Sequence, residues 1–162
     1  MELHLEKRCI SAYVENQIGV LAKISGLFAG KNYNLDTLTV GETEDPTMSR
    51  MTIELTCDDL TYEQIIKQLN RQIDVIRIRD ITDQPHLERE VILIKVSAPA
   101  EKRAEILAII QPFRATVVDV APSSITIQMT GNAEKSEALI RVIRPYGIKN
   151  IARTGATGFT RD

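Results

Sequence analysis

A chain of 162 residues, 43% apolar and 26% charged, has enough hydrophobic content for one globular domain or two small ones. Its formal net charge of -2 lacks the basic surplus with which a general nucleic-acid binder neutralises phosphates. No apolar run nears the roughly 20 residues that span a bilayer. The opening Met1-Glu2-Leu3-His4-Leu5-Glu6 lacks the basic-then-apolar order of a signal peptide, so a cytoplasmic protein is expected.

In chain order, residues 8–14 read as a strand, and the stripe Val20, Leu21, Ile24, Leu27 and Phe28 has the three-and-four spacing of a core-facing helix. Residues 35–40, rich in β-formers and without proline, predict a second strand at a sheet edge. Residues 51–56 alternate at period two. Ile65, Ile66, Leu69 and Ile73 form a second helical stripe, with Thr61 three residues before Gln64 as in a capping box. Residues 76–79 alternate again. The order then returns. Residues 91–96 predict a strand, and 100–111 a helix with Ile106, Leu107, Ile109 and Ile110 inward. Strands follow at 116–120 and, after the turn residues Pro122-Ser123, at 125–129. Asn132 caps a helix with the stripe Leu139, Val142 and Ile143, which ends near Pro145 and Gly147 before a short strand at 148–152.

Thr82-Asp83-Gln84-Pro85-His86 has the turn chemistry and lost periodicity of a boundary. The expected fold is therefore α+β: two tandem ferredoxin-like βαββαβ sandwiches, a domain at 1–82, a linker at 83–90 and a second domain at 91–162. Each should be a four-stranded antiparallel sheet with two helices on one face. The halves share little residue identity, so the architecture repeats and the sequence does not. This fold hosts many functions, and side chains must decide among them.

Asn16-Gln17-Ile18-Gly19-Val20-Leu21 stands where the first strand turns into the first helix, followed by Tyr33-Asn34-Leu35. A helix start leaves its first N–H groups unpaired and carries roughly half a positive charge, which suits a free carboxylate. Gly19 lets a ligand approach the backbone, and the amides of Asn16 and Asn34 offer donors and an acceptor without net charge. The arrangement reads as a cradle for a small zwitterion; an ordinary strand-to-helix turn uses the same residue types. The candidate binding residues are Asn16, Gln17, Ile18, Gly19, Val20, Leu21, Asn34 and Leu35.

Other chemistries find little support. RNA binding on this fold uses aromatic side chains on strands one and three, and strand three has none. A metallochaperone needs C-x-x-C in the first loop. Gly26-Leu27-Phe28-Ala29-Gly30-Lys31 has three residues between its glycines, not the four of a phosphate loop, and lies in a helical stripe. Cys9 and Cys57 lack zinc-ligand spacing and read as buried thiols, unpaired in a reducing compartment although their strands are neighbours. His4 and His86 fall in a terminal segment and a linker, as exposed spectators. Glu42, Glu44 and Asp45 cluster before Pro46, as a cation site or, more ordinarily, a solvated loop. No catalytic residue, metal site or cofactor is expected.

Taken together, Asn16-x-x-Gly19-Val20-Leu21, Gly26-Leu27-Phe28, Tyr33-Asn34-Leu35, Leu38-Thr39-Val40 and the run from Asp45-Pro46-Thr47 to Met51-Thr52 resemble the ACT domain of the acetolactate synthase small regulatory subunits. The likeness continues through Gln68-Leu69 and Val75-Ile76. Glu88-Arg89-Glu90, Phe113-Arg114-Ala115 and Val118-Asp119-Val120 look like that family's C-terminal domain. Ile18 stands where the family often has Pro or Ser, and Asn32 where it often has Gly.

The resemblance implies a non-catalytic subunit of branched-chain amino acid biosynthesis. Its partner would be the separate thiamine-diphosphate-dependent large catalytic subunit, which it activates and makes sensitive to feedback inhibition by a branched-chain amino acid, usually valine. It also implies a homodimer through the ACT domains, with effector sites at that interface using the positions of Asn16, Gly19 and Asn34. Neither nucleic acid nor membrane is an expected partner. A free-standing tandem-ACT amino-acid sensor of another pathway is the alternative.

Overall fold

The computed structural model describes residues 4–31 and 33–162, so Asn32 and the first three positions lie outside the described residues. The chain divides into two compact units. One holds the residues up to Leu87 together with Ala156–Asp162, and the other is Glu88–Gly155.

In the first unit, β1 (Glu6–Glu15), α1 (Val20–Gly30), β2 (Thr37–Glu42), β3 (Met48–Cys57), α2 (Asp59–Asn70) and β4 (Val75–Asp80) follow the expected order. The sheet runs β2-β3-β1-β4, with every neighbouring pair antiparallel, and β2 is an edge. Ile10, Ala12 and Val14 of β1 and Met51, Ile53 and Leu55 of β3 point to one face. Val20, Ile24 and Phe28 of α1 and Ile65 and Leu69 of α2 close over them. Burying each of the larger side chains contributes about 1.5–3 kcal/mol, which is why both helices lie on this face.

In the second unit, β5 (His86–Ser97), α3 (Ala100–Ile110), β6 (Thr116–Val120), β7 (Ser124–Gly131), α4 (Ala133–Ile143) and β8 (Ile148–Arg153) repeat the pattern, with the strand path β6-β7-β5-β8. Ile92, Ile94 and Val96 meet Ile106, Ile110, Leu139 and Ile143 in its core. The α+β reading, two βαββαβ sandwiches, is what the structure has.

Several details differ from the sequence reading. The cap of α2 is Asp58, not Thr61: its carboxylate accepts the Thr61 N–H at 2.7 Å. Leu21, Leu107 and Val142 are exposed, because a helix against a single sheet buries a narrower stripe than was counted, and Ile73 lies beyond α2. His86 is half-buried at the start of β5, its Nδ1 2.7 Å from the Gln84 carbonyl, so the 83–90 stretch is partly strand. A further strand, β9 (Thr157–Thr160), falls within the first unit. Gly158 N–H donates to Thr52 Oγ1 at 3.3 Å, and Thr39 Oγ1 donates to the Ala156 carbonyl at 2.8 Å. This return explains why Thr52, on the polar side of β3, is fully buried. Cys9 and Cys57 are both buried and form no disulfide, as expected. They do not face each other: Cys57 joins the core, whereas Cys9 pairs with Glu54 on the opposite face. Burial pushes the Cys57 thiol up, away from the reactive thiolate.

Polar side chains fasten the edges. Arg8 Nη2 lies 2.8 Å from Asp59 and 2.9 Å from Glu6, with its guanidinium 5.0 Å from the Tyr62 ring centroid. Tyr62 donates to Asp80 at 2.6 Å; burial first, then that bond, push its phenol well up. At α4 the expected cap is present, with Asn132 Oδ1 accepting the Lys135 N–H at 2.9 Å. Replacing Asn132 by alanine should lower stability by about 1 kcal/mol in urea unfolding, since it orphans that donor.

Candidate functional site

The turn between β1 and α1 is built around Gly19, the N-cap residue of α1. Its φ of 87° and ψ of -10° lie in the left-handed region, where a Cβ is disfavoured. No side chain caps this helix start. The Lys23 N–H donates to the Gly19 carbonyl at 2.9 Å, and a Cβ built on Gly19 would meet nothing within 4 Å. The Val20 N–H donates back to the Gln17 carbonyl at 3.3 Å, and the exposed Leu21 and Ala22 are left to present the open amides of α1, with the positive end of the helix behind them.

Asn16 is held beside this opening. Its backbone N–H donates to the Thr47 carbonyl at 2.7 Å, and its Nδ2 to the Pro46 carbonyl at 3.0 Å, leaving Oδ1 free to accept. The loop weighed as a cation cluster is what braces it. Asp45 Oδ1 accepts the Thr47 hydroxyl at 2.7 Å and the Thr47 N–H at 2.9 Å, and these bonds hold its carboxyl below the usual range. The signal for this brace was present in Asp45-Pro46-Thr47, a sequence with turn chemistry.

The eight candidate residues separate into two groups. Asn16, Gln17, Ile18, Gly19, Leu21 and Asn34 are exposed, Ile18 completely. Val20 is buried in the core and Leu35 packs against it, so their side chains are spent on folding. Within one chain the structure brings Asn16, Gln17, Ile18, Gly19 and Leu21 together, but not Asn34. Asn34 lies past the far end of α1, an 11-residue helix roughly 16 Å long. There it borders a cavity of about 360 Å³ with Lys31, Tyr33, Asp58 and Thr61. Asn34 makes no hydrogen bond among the described residues.

Two family models cover most of the chain. Residues 10–77 match the AHAS small subunit-like ACT domain, and residues 89–162 match the small subunit of acetolactate synthase. The chain belongs to the acetolactate synthase small-subunit family. It is 48% identical to the acetolactate synthase small subunit of Aquifex aeolicus over 98% of this chain and 83% of that one. The Bacillus subtilis small subunit is 50% identical over 96% of this chain and 91% of its own. Among solved structures, the crystal structure of the small subunit from Thermotoga maritima superposes with a TM-score of 0.84 at 35% identity, covering 96% of this chain and 98% of that chain. The first unit is thus an ACT domain of this family. Among the described residues no helix is long and apolar enough to cross a membrane.

Proposed function

We propose that the chain is the regulatory subunit of acetolactate synthase in valine, leucine and isoleucine biosynthesis. It binds the large thiamine-diphosphate-dependent catalytic subunit, raises its activity, and inhibits it when a branched-chain amino acid, valine first among them, occupies the ACT domain. It performs no catalysis itself. The observation that carries this reading, within a chain of this family, is the uncapped start of α1 at Gly19 beside Asn16. Backbone amides and a positive dipole await a carboxylate there, while Asn16 Oδ1 is free to accept from an ammonium.

The separation of Asn34 from the residues around Gly19 supports a homodimer. β2 is an uncovered edge with Val40 exposed, and Ile18 and Leu21 present apolar surface beside the helix start. Pairing β2 of two protomers about a two-fold axis brings the Asn34 end of one chain toward the Gly19 end of its partner, so the effector bridges both. Its affinity for the inhibited arrangement must exceed that for the active one, by about 1.4 kcal/mol for each tenfold shift. That lies within the usual 1–3 kcal/mol of allosteric coupling, and one or two hydrogen bonds supply as much.

Asn34→Ala is the cleaner probe, since Asn16→Ala also removes the bond to Pro46. In the reconstituted holoenzyme, Asn34→Ala should need at least about tenfold more valine for half-inhibition, with activation of the catalytic subunit retained. Titrations with valine, leucine and isoleucine check this. Unchanged sensitivity to all three would overturn the proposed site.

A further inference from the structure

The face of the first sheet that the helices leave open gathers three arginines. Tyr13 pairs with Arg50 on β3 and with Arg77 on β4, and Ser11 pairs with Arg79 on β4, so all three guanidiniums rise on one face from the two strands that flank β1. Arg50 Nη1 donates to Ser11 Oγ at 2.7 Å, and its guanidinium stands 6.0 Å from the Tyr13 ring centroid and 5.8 Å from that of Phe159. The Arg77 guanidinium lies 5.7 Å from the centroid of the same Tyr13 ring, and Arg79 Nη1 donates to Thr160 Oγ1 at 3.2 Å. With the returning strand β9, these groups enclose a cavity of about 310 Å³.

The charges here lack the carboxylate partners that Lys7, Lys23 and Arg8 have in the same unit. Lys7 meets Glu54 at 3.3 Å, Lys23 meets Asp74 at 2.9 Å, and Arg8 has two carboxylates within 3 Å. Among the described residues, Arg50, Arg77 and Arg79 make no ion pair; their partners are hydroxyls and rings. Among the described residues that line the cavity, Asp162 is the one acidic side chain. Glu42 and Glu44 line a neighbouring hollow on the other side of Arg50, so Arg50 is shared and Arg77 and Arg79 carry the surplus. Three always-charged guanidiniums repel one another, and an anion between them removes that cost. The Tyr13 hydroxyl, without a hydrogen bond among the described residues, is a further donor.

We propose that this cavity binds a small oxyanion, a metabolite bearing a phosphate or carboxylate group, which the guanidinium forks grip while Thr160 and Phe159 of the returning strand close over it. The site is distinct from the Gly19 opening and does not depend on the effector reading. Bound anion ties β3, β1 and β4 to β9, so occupancy should stabilise the first unit.

The test is thermal unfolding of the full-length chain in inorganic phosphate, pyrophosphate or citrate against chloride at matched ionic strength, with affinities from calorimetry. Phosphate and pyrophosphate report the phosphate source and citrate the carboxylate source. At least one should raise the Tm, and Arg77→Gln or Arg79→Gln should weaken that anion's binding by about tenfold or more. Both arginines are exposed, so the variants should fold, and Lys67→Gln, on the surface of α2, should bind as the parent does. Equal stabilisation by chloride, or unchanged affinity in both arginine variants, would overturn the site. Valine inhibition is measured separately, and its loss or survival leaves this result untouched.

Discussion

Replacing Gly19 by valine is expected to abolish valine inhibition of the reconstituted holoenzyme while the catalytic subunit is still activated. Two effects act together. The left-handed φ of 87° costs an L-residue about 1–2 kcal/mol, more for a β-branched one. Relief of that strain rotates the peptide that aims the first amides of α1. The side chain also fills the space in which a carboxylate would sit, which is empty now because nothing lies within 4 Å of the Cβ position. Gly26 supplies the contrast within the same helix. It is exposed and helical, with equal room for a Cβ, so Gly26→Ala should stabilise the chain by about 0.4–1 kcal/mol and leave valine sensitivity alone. Inhibition curves and urea unfolding of both variants check the pair. A Gly19→Val holoenzyme still inhibited at parental valine concentrations would remove the helix start from the site.

What was legible in the sequence follows from which interactions are local. Apolar periodicity marks a strand or helix within a few residues, so the order of twelve elements, the Asn132 cap and the edge position of β2 were all readable. The placement of Gly19 and Asn16 at a strand-to-helix turn was readable for the same reason, as turn chemistry at a helix start. Long-range features were not. Thr157-Gly158-Phe159-Thr160 has too few residues to announce a strand, and its return to the first unit depends on contacts with Thr52 and Thr39, over 100 residues away. For that reason the oxyanion cavity was invisible: Arg50, Arg77 and Arg79 each look like an ordinary solvated strand charge until the register sets them around Tyr13. Val20 and Leu35 show the reverse limit of a local motif. They stand inside the motif, yet their side chains belong to the core.

Arg153 is another residue that only the register exposes, and its removal should cost the second unit about 3 kcal/mol at neutral pH. The strand expected at 148–152 stopped one residue short of it. In β8, Arg153 grips Glu90 of β5, with Nη2 2.6 Å from Oε1 and Nε 3.4 Å from Oε2, while Nη1 lies 2.6 Å from Glu137. The Glu90 side chain is only 2% exposed, whereas Glu137 is 57% exposed. The Glu137 pair is therefore screened and contributes little, and the Glu90 pair decides the outcome. Arg153→Met leaves a carboxylate in the interior without its countercharge, which is far worse than never having buried one. Arg153 keeps some access to water, so the cost falls toward the lower end of the 3–5 kcal/mol typical of such losses. Glu90→Gln in the same chain removes the charge that Arg153→Met strands, and the double variant should recover more than half of the lost stability. Urea unfolding of the two single variants and the double one measures the coupling directly. If Arg153→Met costs under about 1 kcal/mol, or the double variant is no better, the ion pair is not what holds β5 to β8 at this end.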